Sequence, residues 1–187
     1  SAARRPRPSL FAGDLDRPLH RLAQERRHVV GKSRTTAFGL ALALTRANEL
    51  DEARATLAPL LRNHPDKIAF VIAAADIDLA AGKPQAAALR LRALLDVNPG
   101  NHPLTMAYAN ALLRNGRPKD AQRVLVEHSR RKPDDPQVWY ELAETHGLAG
   151  SIIDVHRARA EYFILNGALD LAEAAAEAVG ANPLLAR

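Results

Sequence analysis

The chain has 187 residues, 20.3 kDa, 47% hydrophobic and 25% charged residues, which is enough for one domain with a sizeable core and excludes a disordered composition. Aromatics are 4% and cysteines absent, so a strand-rich sandwich is disfavoured, while disulfides, thiol nucleophiles and thiolate metal sites are excluded. The net charge of +5 is local: residues 1–34 carry nine Lys/Arg against Asp14, Asp16 and Glu25, and the remainder is close to neutral at −1, so no basic nucleic-acid-binding body is expected.

In chain order, residues 1–15 are rich in Arg and Pro and read as a flexible basic arm. Residues 16–33 form a capping helix and link, with Leu19, Leu22, Ala23, Val29 and Val30 on one face of Arg17 to Val30. From residue 34 onward the punctuation repeats. Pro65, Pro99 and Pro133 are 34 residues apart, and so are Gly82, Gly116 and Gly150, with Asn48 one step earlier. Pro84 and Pro118 each follow a glycine by two residues. Gly or Asn takes the left-handed conformation that ends a helix, Pro opens the next one without losing a needed N–H, and the last Pro of each unit stops it.

This is the tetratricopeptide arrangement of helix A, turn and helix B, with units 34–67, 68–101, 102–135 and 136–169. Ala41, Ala75, Ala109 and Ala143 recur at the eighth position, and Ala53, Ala87 and Ala121 at the twentieth, where small residues let paired helices approach. The fourth unit has Val155 at the twentieth position, and Gly167 follows Gly150 by half a period. Residues 152–166 therefore serve both as helix B of unit four and as helix A of an overlapping last pair, 152–180. The expected fold is all-α: a right-handed solenoid of about ten antiparallel helices with a concave groove over 34–187.

No catalytic constellation is present. There is no GxSxG, P-loop or GxGxxG, and no His-Glu-x-x-His that would set two imidazoles on one helix face for zinc. The seven histidines are scattered: His64 and His102 beside turn prolines read as surface helix ends, and His146 as a packed core residue. Asp76 and Asp78 lie about 200° apart around a helix and cannot share a ligand, so one carboxylate faces the groove and the other a helix contact. Catalytic, cofactor and metal residues are none in this reading. No apolar run approaches the roughly 18 to 20 residues of a membrane span, and no leader pattern is visible.

The chemistry on offer is a binding groove lined by helix A of each unit. Its expected lining is Thr35, Phe38 and Leu42, then Ile72, Asp76 and Leu79, then Met106, Asn110 and Arg114, and finally Tyr140, Glu144, Arg157 and Glu161. Apolar fifth positions and polar ninth positions suit an extended protein segment whose side chains are buried and whose amides are hydrogen-bonded. The Asn110 amide both donates and accepts.

The stretches Phe38-Gly39-Leu40-Ala41-Leu42, Asp51-Glu52-Ala53-Arg54 with Leu57-Ala58-Pro59-Leu60-Leu61, Ala75-Asp76-Ile77-Asp78-Leu79, Tyr108-Ala109-Asn110-Ala111-Leu112 and Ala158-Arg159-Ala160-Glu161 also carry a closer likeness. Residues 30–187 resemble the C-terminal tetratricopeptide domain of the periplasmic zinc metallopeptidases that enhance outer-membrane β-barrel assembly. The resemblance implies a periplasmic parent protein with a separate N-terminal HExxH domain holding the zinc, and this stretch as a non-catalytic, chaperone-like docking domain. Its implied partners are that protease domain, barrel substrates and the assembly machinery. The alternative is a stand-alone scaffold or chaperone-adaptor with no protease. A third reading places the Arg-rich arm on anionic lipid or nucleic acid.

Overall fold

A computed structural model describes residues 34–180, and among these residues the chain forms nine α-helices and no strand. They are α1 (Arg34–Arg46), α2 (Leu50–Asn63), α3 (Ile68–Ala80), α4 (Pro84–Val97), α5 (His102–Arg114), α6 (Pro118–Arg131), α7 (Pro136–Ala149), α8 (Ile152–Leu165) and α9 (Leu169–Gly180). The arm and the capping helix expected over 1–33 lie outside the described residues, as does 181–187.

The periodic punctuation does the work its chemistry suggests. The turn after each helix A holds a left-handed residue, Asn48 at φ 60°, Gly82 and Gly116 at 69°, Gly150 at 80° and Gly167 at 73°, and Gly100 at 77° adds another between α4 and α5. Only residues without a branched or bulky Cβ settle there cheaply, so the helix-A ends are written in the sequence. Helices α4, α6 and α7 each begin on a proline. The prolines of the longer period act one step before themselves. Helices α2, α4 and α6 end at Asn63, Val97 and Arg131, two residues ahead of Pro65, Pro99 and Pro133, because a residue preceding proline is pushed out of the helical region. Asn101 and Asp135 cap the helices that follow, accepting from the Leu104 N–H at 3.2 Å and the Gln137 N–H at 3.0 Å.

The chain divides into two compact units at residues 81 and 82. In the first, α1, α2 and α3 pack mutually. Ala41 and Ala53, both without solvent exposure, are the small residues at the contact, and Leu44, Leu57, Phe70 and Ile77 fill the space around them. In the second, each helix from α4 to α9 packs on the next. Ala87, Ala109, Ala121 and Ala143 keep the contacts close, and Leu91, Leu104, Leu112, Leu125, Val138 and Leu142 supply the apolar bulk, each worth roughly 1.5–3 kcal/mol in burial. Helix α8 packs on both α7 and α9, as the half-period spacing requires. The buried small residue of α8 is Ala158, one turn after the half-buried Val155 that occupies the repeat's own position.

Candidate docking surface

In the first unit the expected lining residues divide by burial. Phe38 and Leu42 of α1 are half-buried and pack against the core, Phe38 lying tilted against Phe70 of α3 with ring centroids 5.1 Å apart. Thr35 is exposed, Ile72 and Leu79 are half-buried, and Asp76 is exposed on α3. The protein surrounding Asp76 still displaces water from its carboxyl, which holds its pKa above the usual carboxylate value. Asp78, two residues on, turns inward: its side chain is 10% exposed and pairs at 3.6 Å with Arg54 of α2. The two carboxylates of Asp-Ile-Asp-Leu are thus one solvent-facing group and one inter-helix tie.

In the second unit Met106 is half-buried on α5, while Asn110 and Arg114 stand exposed further along the same helix. Tyr140 of α7 is 49% exposed, and Glu144, one turn along, shares its face. Tyr162 of α8 lies tilted against Tyr140 at 5.7 Å and against Phe163 at 5.5 Å, so the three rings form one cluster. The sequence reading misses Tyr162 and Phe163, because they fall between the α8 positions that the repeat pattern assigns to the groove. Glu141 is pushed up mainly by desolvation and secondarily by the nearby Glu144 charge. Arg157 and Glu161 are both exposed on α8, and Arg157 pairs with Asp154 at 3.5 Å. The surface of α7 and α8 therefore offers aromatic faces, carboxylates and one arginine, groups able to hold the side chains and amides of an extended segment.

A second cluster is invisible in the sequence. His102, expected at a surface helix end, is half-buried instead, its Nδ1 3.0 Å from Nε2 of the buried His128 and 3.6 Å from the carboxylate of Asp135. The correction follows from packing, since the first turn of α5 meets the last turn of α6. His146 sits in the core, as expected, with desolvation lowering its pKa. Trp139 donates from Nε1 to the Pro133 carbonyl at 2.8 Å, fastening α7 to the turn before it. Among the described residues no group of three His, Asp or Glu side chains is placed to hold a metal ion, and no helix is long and apolar enough to cross a membrane.

Residues 78–144 match the tetratricopeptide repeat family model. That stretch is built of tetratricopeptide repeats. The chain is 36% identical over 143 residues to the beta-barrel assembly-enhancing protease of Escherichia coli strain K12, covering 76% of this chain and 29% of that protein. The protein of the same name in Yersinia pestis is 34% identical over 132 residues, covering 71% and 27%. The chain thus spans under a third of the length of the curated relatives it matches. Two solved structures share the fold. A thermophilic TPR protein of Thermus thermophilus superposes with a TM-score of 0.65 at 18% identity, covering 88% of this chain and 90% of its own. A tetratricopeptide repeat protein of Parabacteroides merdae gives 0.62 at 17%, covering 92% and 75%.

Proposed function

We propose that this chain is the non-catalytic docking domain of a periplasmic, zinc-dependent protease that assists outer-membrane β-barrel assembly. Extended segments of barrel substrates or of the assembly machinery settle on the helix-A surface, where Asn110 meets backbone amides and the Tyr140–Tyr162 pair meets side chains. Holding a substrate there raises its concentration at the neighbouring catalytic domain. The likeness to the assembly-enhancing proteases supports the reading, and so does the exposed aromatic and carboxylate surface on α7 and α8. The residues present do not fit the family's zinc: the sequence has no His-Glu-x-x-His helix, so the metal belongs to another part of the parent protein, and no step here runs through it.

The test is photo-crosslinking of substrate to the parent protein carrying Asn110→Ala with Glu144→Ala. Both side chains are exposed, so helix content and melting temperature should hold while crosslinking falls severalfold. Undiminished crosslinking would remove the surface from the docking role. Intact mass and metal content of the parent separate the two main readings: a mass well above 20.3 kDa with about one zinc per chain is expected. A small, zinc-free protein would instead be a repeat scaffold.

A further inference from the structure

His102, His128 and Asp135 come from three successive elements: the first residue of α5, the last turn of α6 and the N-cap of α7. The two rings lie 5.2 Å apart between centroids, and His128 is 2% exposed. Repeat arithmetic shows that the fold does not need them. One period of 34 residues away, the positions matching His128 hold Leu94 and Tyr162, and those matching His102 hold Ile68 and Pro136. Leu94 is itself buried in α4. The histidine pair thus occupies positions where the neighbouring repeats carry no histidine. Asp135 matches Asn101, which caps α5 in the same way; the Asp135 cap uses Oδ1, leaving Oδ2 to face His102.

We propose that the His102–His128 pair is an acid-sensitive latch that ties α5, α6 and α7 together when at most one ring is charged and releases them when both are. The nitrogens 3.0 Å apart share one hydrogen, one ring donating and the other accepting. A single added proton keeps that bond, because one nitrogen still accepts. A second proton sets N–H against N–H at the same separation, beside a His128 ring that is 2% exposed. The Asp135 carboxylate lies 3.6 Å from His102. His128 is the costly one. Desolvation lowers its pKa first, the His102 charge second, and the Arg131 and Lys132 charges lower it further, opposed by Asp135 alone.

A histidine whose folded pKa is depressed binds fewer protons folded than unfolded. Its stabilisation is complete above the ordinary value near 6.5 and is lost as pH falls through the lowered one, with the folding constant dropping up to about tenfold per pH unit per proton. Asn110 and Tyr140 stand on α5 and α7, so release would also loosen the docking surface; that consequence rests on the proposed function, whereas the latch itself does not.

The experiment is urea denaturation of the full chain between pH 8 and pH 5, in EDTA, for the wild type and three variants. His128→Leu, which installs the residue found one repeat earlier, should flatten the pH slope between 6.5 and 5 by up to one proton's worth. Its stability relative to the wild type should therefore be higher at pH 5 than at pH 8. The slope from His146, buried elsewhere in α7, remains in all four proteins and cancels. His102→Gln, which keeps His128 and a polar partner, should reduce the slope partially. Asp135→Asn preserves the cap but removes the charge favouring protonation, and should steepen it. Hydrogen exchange should show α5–α7 amides loosening at pH 5 in the wild type and not in His128→Leu. Identical slopes for the wild type and His128→Leu, or exchange in α5–α7 that does not respond to pH, would overturn the latch. Undiminished substrate crosslinking in the Asn110→Ala, Glu144→Ala protein, with the pH slope intact, would overturn only the docking reading.

Discussion

Helix α4 carries leucines at 89, 91, 94 and 95, and the structure assigns them opposite fates: Leu91 has no exposed surface, while Leu89 is 66% exposed two residues away. Truncating each to alanine removes the same atoms from the same helix with the same change in helix propensity, so the difference between them reads burial alone. Leu91→Ala loses a full leucine transfer and leaves a cavity, costing about 3–5 kcal/mol. Leu89→Ala loses about a third of the transfer and no cavity, costing about 0.5–1 kcal/mol. In a domain of this size 1 kcal/mol moves the melting point by roughly 2–4 °C, so the expected falls are on the order of 10 °C and about 2 °C. Urea denaturation followed by far-ultraviolet circular dichroism gives the free energies, provided the two denaturant slopes match. Costs within about 1 kcal/mol of each other would mean that α4 turns a different face to α5, and the repeat register derived from Gly82 and Pro84 would fail with it.

Two further perturbations have opposed or unequal signs. Gly116→Ala should cost about 1–2 kcal/mol because φ of 69° is left-handed and nothing crowds the added Cβ, whereas Gly39→Ala, inside α1 with open space around it, should gain about 0.5–1 kcal/mol; melting curves that shift the same way would contradict the turn assignment. Arg54→Ala should cost about 1–2 kcal/mol through the inward Asp78 carboxylate, against under about 0.5 kcal/mol for Asp51→Ala, which breaks only the exposed pair at 3.5 Å; equal costs in a urea titration would show that the tie between α2 and α3 contributes nothing.

Much of the fold is legible because the repeat writes its turns in residues with special backbones. Asn48, Gly82, Gly116, Gly150 and Gly167 name their own conformation, and the helix boundaries follow from them within a residue or two. The split of Asp76 from Asp78 is legible too, since it needs only the angle between i and i+2. Pairs across elements are not. Tyr140 and Tyr162 are 22 residues apart and His102 and His128 are 26, and neither separation is a repeat period, so no self-similarity marks them. Among the leucines of α4, the sequence pattern alone leaves Leu89 as good a core residue as Leu91, because apolar residues occupy more of the helix than its buried stripe needs.

Departures from the repeat are therefore where position-by-position comparison is most informative. At the twentieth position Ala53, Ala87 and Ala121 are all without exposure, which is the constraint a close helix approach imposes. Val155 cannot meet it, and the approach moves one turn along α8 to Ala158, which is 1% exposed. Ala158 lies at the middle of α8, and beyond it the helix presents Tyr162 to Tyr140 while it also packs on α9. A strict fourth repeat would have kept α8 as an ordinary helix B with an alanine at 155. The departure at Val155 thus falls on the same helix that carries Tyr162 to Tyr140.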